Sequence, residues 1–391
     1  MDQGTILILF ALLRSAIRGT EITENERNSY SAEMLPSLFK LSSRHDVIHL
    51  LALGLKKNRL LAENNNELEK LIFKAVYRYE KLKYEYESLC CALEKAEISF
   101  LPLKGSVLRK YYPEAWMRTS CDIDLLVHRE DLDRAISYLL KNLKYTEGER
   151  ATHDVSLFSP TGIHVELHFD LVEEGRANNA ISVLGSVWEN VSLRENSQYH
   201  HEMSDAFFYF YHIAHMAKHF ETGGCGIRPF IDLWILDHME GVDISARDDL
   251  LIKGDLKKFA DTARNLSRVW IDNIEHDELS LRIEELLLHG GAFGSTDNRV
   301  ALQQKKKGGR IGYIVSRIFI PYEKLKRYYP ILEKHRWLMP FMQIRRWFML
   351  LRPDVAKMAK REMEINGKID KARSNESSLL LENIGLDKDC N

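Results

Sequence analysis

The chain has 391 residues, of which 45% are apolar and 29% charged, and its formal net charge at pH 7 is −2. This composition excludes a disordered or fibrous chain and predicts a globular protein with enough core for two or three domains. The five cysteines show no C-x-x-C spacing, so neither a disulfide framework nor a zinc–thiolate site is indicated. We therefore expect a cytoplasmic protein.

The first 97 residues are predicted to form an N-terminal helical region. Apolar residues run through Thr5–Ile17 without the basic start and small-residue cleavage site of a signal peptide, which favours a buried helix. A longer helix is predicted over Glu67–Ala96. No apolar run reaches the ~20 residues of a membrane span, so we expect no transmembrane segment. These helices carry no visible chemistry; we expect them to support and cover the next domain, or simply to pack as a bundle.

Residues 98–192 are predicted to form a small α+β domain with a mixed β-sheet. A strand, a helix, a second strand, a second helix and a β-hairpin follow one another, with a further short strand near Tyr145. Their predicted ranges are Ser99–Leu103, Gly105–Tyr112, Asp122–His128, Glu130–Asn142 and, for the hairpin, His153–Ser159 with Gly162–Phe169.

Three carboxylates lie on two of these strands. Asp122 and Asp124 are two residues apart, so their side chains project from one face, roughly 7 Å apart at Cα for a rise of ~3.3 Å per residue. Two ionised carboxylates side by side are costly unless a cation neutralises them. Mg²⁺ (or Mn²⁺) suits such oxygen ligands, and Glu166 would complete a two-metal site for an in-line phosphoryl displacement. A lone Asp-x-Asp is also common without any catalytic role.

A Lys-Gly-Ser turn precedes the aspartates. Lys104, Gly105 and Ser106 join the first strand to a helix, where a bare glycine backbone lets a phosphate approach the helix N-terminus. Arg118, just ahead of the aspartates, is a further candidate for a phosphate contact. The turn and Arg118 are therefore predicted to bind nucleotide.

These motifs together resemble a known family. Lys-Gly-Ser, a helix, Arg, Asp-x-Asp on a strand and a later strand carboxylate are similar to the DNA-polymerase-beta-type nucleotidyltransferase superfamily. The segments LPLKGSVL, YYPE, MRTSCDIDLLV and GIHVELHFDL resemble a bacterial branch of largely uncharacterised nucleotidyltransferase-family proteins. The strong match covers about residues 98–172, with a weaker likeness in the helical segments on both sides. The resemblance implies that Gly105 and Ser106 hold the nucleotide phosphates and that the three carboxylates bind metal.

The last strand also carries two histidines. His164, Glu166 and His168 alternate with apolar residues, so the three polar side chains share one face. The pattern His-x-Glu-x-His could bind a transition metal. The favoured alternative is that His168 orients Glu166 or contacts the triphosphate.

Residues 193–363 are predicted to be helical again. A helix over Ala206–Phe220 carries His212, His215 and His219 on one face, a set that could bind metal but more often packs with aromatic residues or lines a cleft.

Two basic residues of this region are candidates for triphosphate contacts. Lys218 lies on the same predicted helix, and Arg228 follows a glycine-rich joint. A surface position, or an ion pair with Asp232, is the alternative for both.

Residues 305–361 hold sixteen Lys or Arg residues against three acidic ones, with tyrosines and tryptophans between them. Such a segment could bind RNA through phosphates and bases, lie on an anionic membrane surface, or balance acidity elsewhere in the chain. The tail, 364–391, is polar, and we expect disorder around Ser374–Ser378, with Leu379–Leu381 docking on the rest.

The leading hypothesis is an enzyme that moves a nucleoside monophosphate from an NTP to an unidentified acceptor hydroxyl or phosphate and releases pyrophosphate. Asp122 and Asp124 would hold one Mg²⁺, and Glu166 would share a second that stabilises the in-line transition state. Two alternatives stay open. One is a non-catalytic nucleotide- or RNA-binding protein that keeps the fold. The other is a tRNA-modifying nucleotidyltransferase toxin, supported only by the basic segment.

Overall fold

A computed structural model describes residues 2–61, 66–172, 179–292, 294–349 and 352–386. The chain forms two compact units. The first comprises Met1–Met216 and Gly226–Ala292, and the second Ala217–Cys225 and Phe293–Asn391. The domain boundaries predicted above, after residues 97, 192 and 363, follow secondary structure and chemistry, and they stay predictions.

The first unit begins with five helices. They are α1 (Gln3–Arg18), α2 (Glu24–Ser29), α3 (Leu35–Arg44), α4 (Ile48–Lys57) and α5 (Asn66–Lys95), with a 3-10 turn at Ala32–Met34. The side chain of Asp2 caps the start of α1, and Gly19 ends it with a left-handed φ of 74°. The helices predicted over Thr5–Ile17 and Glu67–Ala96 are confirmed as α1 and α5.

A five-stranded mixed sheet follows these helices. Its strand order is β1–β2–β5–β4–β3; β2 and β5 run parallel, and the other neighbouring strands are antiparallel. The mixed sheet with helical flanks confirms the predicted α+β class. The elements are β1 (Phe100–Pro102), α6 (Lys104–Leu108), β2 (Asp122–Val127), α7 (Leu132–Asn142), β3 (Thr146–Arg150), β4 (Asp154–Phe158) and β5 (His164–His168).

One face of this sheet is apolar and packs on the core. Ile123, Leu125 and Val165 are fully buried, and Leu89 of α5 and Leu139 of α7 belong to the same cluster. Because strand side chains alternate, the polar residues of β2 and β5 emerge on the other face.

The rest of the first unit is mostly helical. The predicted helix over Ala206–Phe220 is confirmed, and the boundary between the two units falls inside it, after Met216. The structure also has a hairpin of two three-residue strands, which are too short to show a sequence alternation. These elements are α8 (Asn179–Leu184), β6 (Val191–Leu193), β7 (His201–Met203), α9 (Asp205–Glu221), α10 (Arg228–Asp237), α11 (Ile244–Lys253), α12 (Lys257–Asp272) and α13 (Glu278–Leu288), with 3-10 turns at Arg109–Tyr111, Ala115–Met117, Arg129–Asp131 and Val187–Glu189.

The described part of the second unit is helical. Its helices are α14 (Thr296–Lys306), α15 (Arg310–Ile318), α16 (Tyr322–Tyr328), α17 (Ile331–Lys334), α18 (Met339–Met349), α19 (Pro353–Lys368) and α20 (Lys371–Asn383), with a 3-10 turn at Arg336–Leu338. None of the helices in the described ranges combines the length and the apolar character that a membrane crossing requires.

The tail differs from the prediction of disorder around Ser374–Ser378. These residues lie in α20, where the Ser374 hydroxyl donates to the Ala301 carbonyl at 2.7 Å. Leu380 and Leu381 are buried, as expected of a docked segment, whereas Leu379 is exposed. The polar composition misleads because a few buried contacts suffice to hold this helix.

Candidate active site

The parallel pairing of β2 and β5 builds the candidate site. Asp124 lies directly opposite Glu166, and Asp122 lies opposite His164. Both carboxylate-bearing segments alternate with fully buried apolar residues, so one side of each strand is fixed on the core. The polar side chains therefore converge on the opposite face of the sheet.

Lys104 is the principal cation in this cluster. Its Nζ lies 2.8 Å from Oδ1 of Asp124 and 3.9 Å from Oε2 of Glu166. The residue is the first of α6, two positions after the end of β1, and has a left-handed φ of 43°, a conformation uncommon for any residue other than glycine. Burial alone would lower the pKa of Lys104, but the charge and hydrogen bond of Asp124, with the further charge of Glu166, raise it above its usual range. The Lys-Gly-Ser turn therefore directs the Lys104 side chain toward Asp124 and Glu166.

Two groups of potential metal ligands overlap at Glu166. One contains Asp122, His164 and Glu166, and the other contains Asp124, Glu166 and His168; within each group the ligand atoms lie within 4.8 Å of one another. In the described ranges, the three carboxylates do not form one such group by themselves. The arrangement is therefore two half-sites that share Glu166, each completed by an imidazole.

The two aspartates have opposite electrostatic surroundings. Burial and the neighbouring charge of Asp124 raise the pKa of Asp122, against the opposing charges of Lys104 and Arg228. Burial alone would raise the pKa of Asp124, but the Lys104 ammonium and His168 outweigh it and hold that pKa well below its usual range. Asp124 is thus ionised at neutral pH.

His168 lies at the centre of the second ligand group. Its Nε2 is 3.1 Å from Oδ1 of Asp124 and 3.4 Å from Oε2 of Glu166. Burial alone would lower the pKa of His168, but the bonds to the two carboxylates raise it. The ring stands beside His153, and it also belongs to a third possible ligand group with His153 and Asp154.

The predicted phosphate-binding turn lies next to these carboxylates. The Ser106 hydroxyl is buried and, within the described structure, has no hydrogen-bond partner. A Cβ on Gly105 would stand 3.3 Å from the Ser120 hydroxyl, tighter than most packed contacts. The turn thus offers a free hydroxyl beside a glycine that a larger residue would crowd.

Arg118 is placed differently from the prediction of a phosphate contact. Its Nε donates to Oδ1 of Asp232 at 2.6 Å, and its Nη1 donates to the Thr119 carbonyl. The Tyr112 hydroxyl donates to the same oxygen of Asp232 at 2.6 Å. Arg118 is buried in this network, so we assign it to holding the segment before β2 rather than to the nucleotide.

The other two basic candidates fall in different compact units. Arg228 donates to the carboxylate of Asp46 and to the Thr119 carbonyl, and its charge partly opposes the rise in the pKa of Asp122. The ion pair with Asp232, expected as the alternative for these two residues, is made by Arg118. Lys218 lies near the end of α9, in the second unit.

The three histidines of α9 form no candidate metal group with one another among the described residues. His212 Nε2 lies 3.0 Å from the Pro229 carbonyl, and burial lowers the pKa of His212. The position of His212 agrees with the expectation that these histidines pack in the fold rather than bind metal.

Sequence reasoning missed Arg109 and Tyr211. Arg109 is buried and donates to the Ser120 hydroxyl, and burial with the charge of Arg118 lowers its pKa to about 10. Tyr211 is buried beside Lys104. Neither lies in a recognisable motif, because each reaches the site from a helical segment that reads as ordinary amphipathic or aromatic packing.

Comparison with known proteins gives one family. Residues 32–272 match a family described as an uncharacterised nucleotidyltransferase. This segment is more than half of the chain. The chain belongs to the uncharacterised nucleotidyltransferase family. No curated protein and no solved structure matches it.

The segment shared with this nucleotidyltransferase family runs from the turn before α3 to the end of α12. It includes β2, β5, the Lys-Gly-Ser turn and Arg228. The basic residues 305–361 lie beyond it. Membership of the family therefore supports a role for the carboxylate site and gives no information about the basic segment.

Proposed function

We propose that this protein transfers a nucleoside monophosphate from an NTP to an acceptor hydroxyl or phosphate and releases pyrophosphate, as in nucleotidyltransferases of the DNA-polymerase-beta type. The observation that carries the proposal is the pairing of Asp124 with Glu166 across β2 and β5, with Asp122 beside them. Membership of the uncharacterised nucleotidyltransferase family supports it.

The donor set fits divalent cations. Each of the two ligand groups offers two carboxylates and one imidazole, and Glu166 belongs to both. Asp122, Asp124 and Glu166 would hold Mg²⁺ or Mn²⁺; the imidazoles suit Mn²⁺ better than Mg²⁺. Bound there, such cations would neutralise the triphosphate and stabilise the charge on the attacking and leaving oxygens.

The surrounding residues would position the nucleotide. The Ser106 hydroxyl would donate to a phosphate oxygen, and Gly105 lets the turn pack closely against Ser120. Lys104 carries a positive charge within reach of both carboxylates, and it would contribute to phosphate binding from that position. His168 would hold Asp124 and Glu166 in place through its hydrogen bonds. Arg228 would add positive charge near Asp122.

A non-catalytic nucleotide-binding protein is the second candidate, and Lys104 is the observation that favours it. Its ammonium bonds directly to Asp124 and so supplies a charge that a metal would otherwise supply. Such a protein would bind NTP without releasing pyrophosphate.

The experiment is label transfer from α-labelled NTPs by the purified protein, with a cell lysate as the source of acceptors and with Mg²⁺ or Mn²⁺. The double variant Asp122→Asn/Asp124→Asn should lose about 10²–10³-fold in labelling rate, because both half-sites lose a charged ligand. The matched control is Asp133→Asn, a carboxylate on the exposed face of α7 that pairs with Arg150 at 3.1 Å. It should label at the wild-type rate.

Undiminished labelling by the double variant would overturn the proposal. Calorimetric titration with NTP and Mn²⁺ separates the second candidate. If the wild type binds NTP but labels no acceptor and releases no pyrophosphate, the protein is a non-catalytic nucleotide-binding protein.

A further inference from the structure

An exposed apolar stripe runs along α18 and the 3-10 turn before it. Trp337, Phe341, Ile344 and Phe348 are spaced by four, three and four residues, which places them on one side of a helix. Their exposed fractions are 69%, 60%, 45% and 68%. We call these four residues the α18 stripe.

The opposite side of α18 is the side that packs. Gln343 is buried, and its amide donates to the Ile320 carbonyl at 2.7 Å. Met339 and Met342 pack on a small core around Leu325 and Leu332. α18 therefore packs on the protein through the face opposite the α18 stripe, and the stripe residues take no part in that packing.

Further exposed apolar side chains lie around the α18 stripe. Phe319 contacts Trp347 with ring centroids 5.4 Å apart, and Met349 lies against the Tyr329 hydroxyl. Phe319 and Met349 are both exposed. Apolar surface of this extent indicates an interaction site.

Positive charge accompanies this surface. Residues 305–361 carry sixteen Lys or Arg residues and three acidic ones. Arg345 lies between the stripe residues on α18 and is exposed, and its guanidinium stands over the Tyr329 ring at 5.5 Å. Arg336 is likewise exposed, over the ring of Tyr322 at 4.6 Å. An anionic partner complements this surface.

The kind of apolar residue distinguishes a lipid surface from RNA. Bases stack on aromatic rings and guanidinium planes, and exposed aliphatic side chains give them nothing comparable. Here Ile344 and Met349 are exposed on the same helix as the aromatic rings of the stripe. A helix with Trp and Phe on one face and Arg beside them is the pattern of a segment that lies in the interface of a bilayer.

We propose that the α18 stripe and its surrounding basic residues bind the surface of an anionic lipid bilayer, with α18 lying in the plane of the headgroups. The aromatic and aliphatic side chains would enter the acyl boundary while Arg336 and Arg345 stay at the lipid phosphates. This binding is independent of the nucleotidyl transfer proposed above.

The test is co-sedimentation of the full-length protein with vesicles of phosphatidylcholine that contain about 30% phosphatidylglycerol. Wild type should sediment with these vesicles and only weakly with pure phosphatidylcholine. Phe341→Ser/Phe348→Ser should lower the partition coefficient at least about tenfold, because two aromatic side chains that would enter the acyl boundary are removed. The matched control is Phe73→Ser/Tyr77→Ser on α5, two aromatic residues as exposed as those of the stripe, and it should bind like the wild type.

A second measurement does not depend on a disruptive variant. Trp337 fluorescence should shift to shorter wavelength on addition of anionic vesicles, and Trp337→Phe should remove most of that shift. Equal sedimentation of the stripe and control variants would overturn the proposal. So would an absence of vesicle binding together with tRNA binding that the stripe variant weakens, which would assign the surface to RNA. Concentration-dependent dimers that the stripe variant abolishes, without vesicle binding, would assign it to a second copy of the chain.

Discussion

Single residues decide the electrostatics of the candidate site, and Lys104 is the clearest case. The sequence predicts that Lys104 binds nucleotide as part of the Lys-Gly-Ser turn, and in the structure its ammonium lies 2.8 Å from Asp124. Asp124 is buried, so its charge needs a partner. Lys104 and His168 supply that partner and keep the carboxylate ionised.

Lys104→Met should therefore lower the free energy of unfolding by about 2 kcal/mol at pH 7, because a buried carboxylate loses a charged hydrogen bond. The pKa of Asp124 is depressed in the folded state, so its contribution to stability is present above the unfolded pKa of about 3.9 and is lost as the pH falls below it. The difference between variant and wild type, measured by urea unfolding, should shrink below about pH 4.

The control for Lys104→Met is Lys110→Met. Lys110 is exposed and lies 3.7 Å from Glu202, so its replacement should change the free energy of unfolding by less than about 0.5 kcal/mol. A stability difference for Lys104→Met that stays constant from pH 7 to pH 3 would indicate lost packing rather than lost charge.

Pairs of elements position these residues. The parallel register of β2 and β5 sets Asp124 opposite Glu166, and a slip of one residue would turn the polar side chains of one strand into the core. The segment before β2 is held by α4, whose His49 Nε2 lies 2.8 Å from the Met117 carbonyl. The N-terminal helices thus contact the segment that precedes the aspartates, as expected of a supporting region.

The packing of α4 on α1 can be tested at Gly54. A Cβ at this position would stand 2.4 Å from the backbone oxygen of Leu12, so Gly54→Ala must push the two helices apart. We expect a loss of about 1–3 kcal/mol in the free energy of unfolding, in spite of the higher helix propensity of alanine. Calorimetric unfolding measures the change.

The control for Gly54→Ala is Gly367→Ala. Gly367 lies in α19, and a Cβ there would meet nothing within 4 Å. Alanine should stabilise this helix by up to about 1 kcal/mol. Effects of the same sign at both positions would contradict a backbone contact as the reason for Gly54.

At the scale of the whole molecule, the candidate site and the α18 stripe belong to different compact units. Asp122, Asp124, Glu166 and the Lys-Gly-Ser turn lie in the first unit, and α18 lies in the second. The family segment ends at residue 272 and does not reach α18. The two proposals therefore concern separately testable parts of one chain.

Hydrogen exchange can test this separation. A non-hydrolysable NTP with Mn²⁺ at about 100 times its Kd should stabilise the folded site by about 2.7 kcal/mol and slow exchange in β2, β5 and α6. Exchange in α14–α20 should stay unchanged. Chelation of the metal should abolish the slowing, and Asp122→Asn/Asp124→Asn should show none. Slowing confined to α14–α20 would place the nucleotide elsewhere.

Much of the fold follows from local patterns. The alternation of Ile123 and Leu125 with the aspartates predicts β2, and the hairpin residues predict β4 and β5, because a strand has a period of two whatever surrounds it. The same local reasoning fails for Ser374–Ser378, which are polar yet ordered by contacts with α14.

By itself, the sequence determined the α+β class, the elements that carry the acidic residues and the face of each strand on which those residues lie. All of these depend on neighbours within a few positions along the chain. The folded chain alone shows that Lys104 bonds to Asp124, that Arg118 pairs with Asp232, and that Glu166 belongs to both ligand groups. Those partners are 20 to 114 residues apart, and no periodicity within one element specifies which distant side chain the folded backbone brings to it.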